Sequence, residues 1–490
     1  MKSMLKAIGA VALTTVMVLP VLADDATTDS TDAKDQKDLK KVIEDQGINY
    51  VETAQKGITL SGYVDVSYTE QFGGRGTGFG GGQSQLHEFD RNNDNFNVNA
   101  VKIALEKALP DKNDWAAGFR IDAILGSDAK FLGDNAFGGT TTTTSLHGTT
   151  TGSSSTSSSS TSYPIALEQA LVKFRIPVGN GLDVYAGKFV TFLGYEVIES
   201  PANPNFSRGL LFTNLIPLTH TGVYLDYKFN DEVEAKFGVV DGWNNSVSTP
   251  APGNSTDAAN DYPFGGKAIT GQINVTNPGK NANICQSFIY SPGGDAFNNN
   301  QENGQSVVYD IWGNWSPTFV KDSALTLGFN FDFGFNSEDG NPVDLQQTSV
   351  GNVAVANSST PRDGSETWWG AALYAQYKVS KVLSLEARGE YIHSSSAYNP
   401  LFGATGLTDA TGGAIATPSQ DDWSETLTAT FNIWDNLLTR VEYRADILSA
   451  GSGLTSTTTP TTGPLAGDAH TVLNGSSVQN EVSLEAVYSF

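Results

Sequence analysis

The sequence predicts an all-β chain, folded as a transmembrane antiparallel up-and-down β-barrel of about 16 strands, with 14 as the other count the pattern allows. Three observations carry that expectation. Apolar and polar residues alternate in twos along segments of about 10–13 residues, the length of a tilted strand crossing a bilayer. Short connections rich in turn formers alternate with long ones. Tryptophans sit at the ends of the alternating segments, where two membrane interfaces would hold them.

The chain opens on MKSMLKAIGAVALTTVMVLPVLA. Lys2 and Lys6 precede an apolar run from Ala7 to Leu19, and Val21-Leu22-Ala23 follows. This is the three-part pattern of a cleaved secretory signal over residues 1–23, with Asp24 as the mature start. As a membrane anchor the run is short, since a spanning helix needs ~20 apolar residues. The one cysteine, Cys285, excludes an intrachain disulfide framework. The formal charge falls from −24 to −26 once Lys2 and Lys6 leave with the signal. Such a chain excludes nucleic-acid binding through a basic face. Residues 24–56 read as an acidic leader, a linker or short periplasmic helix. Its DLKKVIEDQ stretch puts Leu39, Val42 and Ile43 on one helix face, but the pattern is too brief for a coiled coil.

Residues 57–490 carry the alternation of a barrel. In ITLSGYVDVSYT, Ile58, Leu60, Val64, Val66 and Tyr68 alternate with Thr59, Ser61, Asp65 and Ser67. In FNVNAVKIALEK the apolar set slips from Phe96, Val98 and Ala100 to Val101, Ile103 and Leu105, so a bulge is expected near Ala100. WAAGFRIDAIL alternates, and ALTLGFNFDFGF places Phe329, Phe331 and Phe333 opposite Asn330 and Asp332. LSLEARGEY alternates Leu383, Leu385 and Ala387 with Ser384, Glu386 and Arg388. The chain ends on NEVSLEAVYSF, with Val482, Leu484, Ala486, Tyr488 and Phe490 on one face and Glu481, Ser483 and Glu485 on the other.

The connections sort the strands into hairpins. PDKN, PVGNG, NPGK and WDN are tight; Gly73–Asn95, the Ser/Thr tract Gly139–Ser162, Val190–Thr219 and Gly242–Lys267 are long, as are three more before the last strand. The weakest strand pair is Ala268–Thr276 with Asn281–Tyr290, which reads as two strands or a loop. Without it the count is 14, still even, as bacterial outer-membrane barrels require. Trp115, Trp315 and Trp434 fall beside short turns, and Trp243, Trp368, Trp369 and Trp423 beside long loops; Trp312 lies within its strand.

A soluble sandwich also alternates. Its strands are shorter, typically about 5–6 residues. Its polar faces do not call for opposite charges in series, as in Arg440, Glu442, Arg444 and Asp446. A closed barrel also removes the sheet edges that lipid cannot satisfy. The apolar faces are therefore expected to meet outer-membrane lipid and the polar faces a water-filled lumen.

The stretch GKFVTFLGYEVIESPANPNFSR, HTGVYLDYKFND with KFGVVDGWNN after it, and the C-terminal strand resemble the β-barrel porin-2 (OmpL-like) family, and the alternating blocks follow it from about Gly57 to Phe490. The resemblance implies a bacterial outer-membrane barrel for passive passage of small hydrophilic solutes and ions. It carries no substrate and no binding residues. Barrels of this kind end on an aromatic read by the outer-membrane assembly machinery, which makes Phe490 a C-terminal assembly signal. In porins generally the third long loop folds inward. Here that loop is Val190–Thr219, with Glu196, Glu199 and Arg208. The inward-facing bases Lys173, Arg175, Arg388, Arg440 and Arg444 are expected across from it, so that acids and bases form a charged pore constriction.

Other chemistry is not indicated. Gly76-Thr-Gly78-Phe-Gly80-Gly81 matches GxGxxG by count but opens no helix, so it lacks the dinucleotide mechanism. The five histidines lie far apart, without metal-ligand spacing, and neither HExxH nor GxSxG occurs. No catalytic residue, metal or cofactor is expected. The alternatives to a general diffusion channel are a solute-selective channel, for which a row of aromatics or bases along the lumen is not evident, and a non-conducting adhesin or structural barrel. Whether the barrel is a monomer or a homotrimer stays open.

Overall fold

The computed structural model describes residues 57–72, 87, 89–90, 95–110, 113–132, 165–242, 267–291, 305–337, 366–394, 420–450 and 475–490, with short strand pairs at 144–145/148–149, 347–348/351–352, 407–408/414–415 and 456–458/470–472. The signal and leader assigned to residues 1–56 lie outside the described residues, as does most of the Ser/Thr tract.

Sixteen strands form one closed barrel. They are β1 (Ile58–Phe72), β2 (Asn95–Lys107), β3 (Ala116–Leu125), β4 (Ile165–Ile176), β5 (Leu182–Val190), β6 (Thr219–Lys228), β7 (Val233–Val240) and β8 (Ala268–Thr276). The second half is β9 (Ala282–Ser291), β10 (Gln305–Trp315), β11 (Leu325–Ser337), β12 (Glu366–Lys378), β13 (Leu383–Ser394), β14 (Gln420–Trp434), β15 (Leu437–Ala450) and β16 (Gly475–Ser489). Each strand pairs antiparallel with its neighbour in sequence, and β1 pairs with β16. The weakest pair of the sequence reading is β8 with β9, in register from Ile269 opposite Tyr290 to Thr276 opposite Asn283. The count is therefore 16 and not 14.

Local chemistry explains the short turns. In PVGNG, Gly179 and Gly181 take φ of 60° and 100°, a region other residues enter at a cost. Between β6 and β7, Asn230 Oδ1 accepts the backbone N–H groups of Glu232 and Val233 at 2.9 and 2.7 Å. Between β8 and β9, Asn277 Oδ1 accepts from Asn281 and Ala282.

The expected bulge is present. Asp65 pairs with Ala100 and Val66 with Val98, leaving Asn99 as the extra residue. Asn99 turns inward, where its amide donates to Asp65 Oδ1 at 2.9 Å. A second bulge, at Glu168 between the Asp122–Gln169 and Ala123–Leu167 pairs, has no counterpart in the sequence reading. There the phase slip is masked, because β4 is apolar on both faces near it.

The pleat sorts the residues as the alternation predicts. Phe329 and Phe333 are exposed on the outer face, whereas Asn330 and Asp332 are buried within the barrel. Trp115, Trp315, Trp423 and Trp434 are likewise exposed. Trp368 departs from the expected girdle. It faces inward, fully buried, and its Nε1 donates to the Leu215 carbonyl at 3.2 Å. It shares a rung with inward Gly334, whose missing side chain leaves room for the indole. Trp243 lies outside the described residues. The barrel closes where Gly62 and Phe490 exchange backbone hydrogen bonds of 3.0 and 2.9 Å.

Candidate functional site: the loop inside the barrel

The connection from β5 to β6, residues 191–218, is the long loop described throughout, and it lies inside the barrel. Its sequence explains this. Phe192, Leu193, Ile198, Phe206, Leu210, Leu211, Phe212, Leu215 and Ile216 are all buried, an apolar load no outer loop could keep from water. The short helix Leu210–Asn214 is buried at every residue and packs against β12 and β13. At the loop base, Gln272 Nε2 and Ser287 Oγ both donate to the Phe192 carbonyl, at 2.6 and 2.8 Å.

The polar part of the loop is fastened to the inner wall by charges. Arg388 on β13 donates to Glu196 Oε1 at 2.9 Å and to the Ser207 carbonyl at 2.5 Å. Glu196 Oε2 in turn accepts the Gly209 N–H at 2.5 Å. Glu442 on β15 accepts the N–H groups of Phe206 and Ser207 at 2.7 and 3.0 Å. Arg440 reaches the Ser200 and Asn203 carbonyls and pairs with Glu485 on β16 at 3.1 Å. Loop carbonyls that lack strand partners thus find guanidinium donors, as buried backbone requires.

Arg208 acts within the loops. It donates to the Ile198 carbonyl at 2.5 and 3.1 Å and to Asp128 Oδ2 at 3.0 Å, with the Phe89 ring 4.7 Å beneath it. Burial pushes the Asp128 carboxyl up to about 7, although the Arg208 guanidinium pulls the other way. His87, from the first long connection, bridges the Arg208 carbonyl and Asp446 Oδ1 at 3.1 and 3.2 Å. Arg444 pairs with Asp90, Asp446 and Glu481. Glu199 points the other way, to Lys102 on β2. The carboxylates of Asp122, Glu168 and Glu199 lie within 4.8 Å of one another, a spacing that could serve a metal ion. The Lys102 ammonium pairs with all three, so the positive charge they need is already in place.

The family description for beta-barrel porin-2, OmpL-like, matches residues 57–490. The chain belongs to this family. The porin lies in the bacterial outer membrane. Its fold is similar to that of the outer membrane channel DcaP of Acinetobacter baumannii, at 11% identity and a TM-score of 0.51, covering 88% of this chain and 97% of that one. Also similar are the anion-selective porin from Comamonas acidovorans (11% identity, TM-score 0.47, 88% and 99% covered) and OprB of Pseudomonas putida (13%, 0.47, 91% and 97%). No curated protein matches.

In the porin, the expected constriction residues separate into two groups. Glu196, Arg208, Arg388 and Arg440 meet at the loop, and Arg444 joins them through Asp446 and His87. Lys173 and Arg175 have their described partners elsewhere: Lys173 pairs with Glu106, and Arg175 binds Asp183 at 2.6 Å and the Pro110 carbonyl near a short turn. Register alone could not separate these groups, because all face inward. Exposure also divides the charges. The Arg388 and Glu196 side chains are 0% and 1% exposed, whereas Arg120 on β3 and Lys236 on β7 keep 32% and 25%. Sequence reasoning missed these two, and it missed a group of inward aromatics on β5, β6 and the loop base. Their parity with Asp183 and Asp226 was the available signal.

Proposed function

We propose that the porin passes small hydrophilic solutes and ions by diffusion, with no catalytic step, through the part of the lumen that the loop leaves open. One observation supports this most directly. Inward charges on β13–β16 are buried, Arg388, Arg440, Glu442 and Glu485 in holding the loop, while several on β3–β8, Arg120, Lys236 and Glu234 among them, stay wet. A transverse field acts on solutes only where its charges border water. The proposed constriction is therefore the loop edge with Glu199 facing β2–β8, and Glu196, Arg388 and Arg440 are its anchors. In planar bilayers, Arg120→Gln with Lys236→Gln should move the reversal potential toward cations, and Glu199→Gln toward anions. No conductance at all would favour an adhesin or structural barrel instead. Assembly as a homotrimer in outer-membrane lipid, with Phe490 read by the assembly machinery, belongs to the same proposal; a single mass in native spectrometry equal to one chain would refute the trimer.

A further inference from the structure

Beside the loop base, four inward aromatics form one patch. Tyr185 on β5 and Tyr224 on β6 stack with centroids 4.5 Å apart and planes at 4°. Phe189 lies 4.6 Å from Tyr224, and Phe192 of the loop lies 5.0 Å from it, edge-on. The phenylalanines are buried behind; the two tyrosines are only partly buried and face the lumen. Among the described residues, neither tyrosine hydroxyl has a hydrogen-bond partner in the protein. Two hydroxyls aimed into a water-filled passage are donors and acceptors held ready for a solute.

The wall around the patch fits one class of solute. Toward the short turns, the next rung carries Asp183, Asp226, Lys236 and Gln272 on four successive strands. Toward the long loops, the next rung is Gly187 and Gly222, which present no side chain. An apolar aromatic surface thus borders two carboxylates, an ammonium and an amide, whose charges nearly cancel once Arg175 is paired with Asp183; within the line, Lys236 donates to Gln272 Oε1 at 3.1 Å and Gln272 Nε2 holds the Phe192 carbonyl. A strongly charged solute gains little from such a line. A neutral molecule with an apolar C–H face and a rim of hydroxyls gains from both surfaces. Aromatic side chains suit the first and charged or amide groups the second.

Resting on the diffusion reading above, we propose that Tyr185 and Tyr224, with Asp226 and Lys236, form a saccharide-binding subsite at the edge of the inward loop, with Gln272 holding Lys236 in place. A saccharide entering the passage lies along the tyrosine edge and exchanges water for these groups. The subsite slows the solute without closing the channel.

The test uses the full-length porin in planar bilayers and in detergent. A linear glucose hexasaccharide should interrupt the current in a concentration-dependent way, measured against each variant's own open current. A polyethylene glycol of similar size should not. Tyr185→Ala with Tyr224→Ala should weaken the block by at least about tenfold, equivalent to about 1.4 kcal/mol. Tyr185→Phe with Tyr224→Phe should weaken it less, since only the hydroxyls go. Heat-modifiable mobility on gels checks that each variant is folded, and calorimetry on the detergent-solubilised porin reads binding without current. Equal block by the glycol, block by a benzylammonium salt but not by the saccharide, or block and heat of binding unchanged in the folded alanine variant would overturn the subsite. Saccharide binding in calorimetry without any conductance would overturn the diffusion reading and leave the subsite standing.

Discussion

Arg388 and Glu196 show how single residues hold a loop inside a barrel. Neither side chain touches water, so each needs the other, and Arg388 also serves a loop carbonyl. Removing one member of such a buried pair leaves a stranded charge and costs roughly 3–5 kcal/mol. Arg388→Ala should therefore lower thermal stability and raise single-channel conductance together, as the loop loosens. Unchanged conductance in a clearly destabilised variant would mean that the loop stays put without its anchor. Asp128 adds a pH-dependent part. Its carboxyl is raised to about 7 by burial, above the unfolded value of 3.8. Folding thus favours the protonated form, so its contribution is full below about pH 4 and is lost as pH rises toward 7. Asp128→Asn should remove that slope, seen as a stability difference from the unaltered porin that changes between pH 4 and 7 and then levels. A flat difference across that range would show that Asp128 does not titrate there. Much of the site could be read residue by residue. Two-residue parity assigned Arg388, Arg440 and Arg444 to the inside, and prolines and acids marked the loop. Which base meets which acid was not readable, because those partners lie up to 192 residues apart for Arg388–Glu196 and 354 for Arg444–Asp90. Only the closed barrel brings them together.

At the level of the strand, β11 tests the pleat. Phe329 faces out and should tolerate only apolar neighbours. Phe329→Arg should cost about 2–4 kcal/mol of stability in bilayers if it lies near the midplane, whereas Asn274→Arg on the inner face of β8 should cost little. Asn330 is a poor comparison, although it faces inward. Its amide N–H donates to Asp310 at 2.7 Å and its side-chain carbonyl accepts the Tyr195 N–H at 3.0 Å, so an arginine there would also undo the loop. Strand existence and phase were readable wherever one face is apolar and the other polar. They were readable even at Asn99, where the apolar set visibly changes side. At Glu168 they were not, because the inward residues Ala166 and Leu171 are apolar too and blur the change of side from Leu167 to Ala170. Trp368 shows a different limit. Its place beside a long connection fits a girdle as well as a lumen, and only the gap left by Gly334 decides. The Ser/Thr tract is the opposite case. It carries almost no apolar side chain, and deleting Thr140–Ser160 should leave assembly and conductance nearly unchanged.

For the whole molecule, the total charge of the chain says little about what passes through it. Charges farther than a Debye length, ~8 Å at physiological salt, are screened from a solute in the passage. Two adjacent acids, Glu338 and Asp339, stand in the long connection after β11. Glu338→Gln with Asp339→Asn should shift the reversal potential much less than Glu199→Gln. Equal shifts would assign selectivity to the outer vestibule. The inward loop also has a bearing on how the barrel is made. Glu199 holds Lys102 on β2, and the adjacent Ser200 donates to Glu485 on β16, 285 residues away. These two strands flank β1, so the loop crosses the line where the first and last strands join. It works there as an internal clasp. The clasp can fasten only when both ends of the chain have arrived, and long-range contacts of this kind are slow to form. Refolding of Ser200→Ala with Glu199→Gln into detergent should accordingly lag at the final step, with normal strand content by circular dichroism but delayed acquisition of the heat-resistant gel band. The loop that narrows the passage would then also be the part that tells the barrel it is shut.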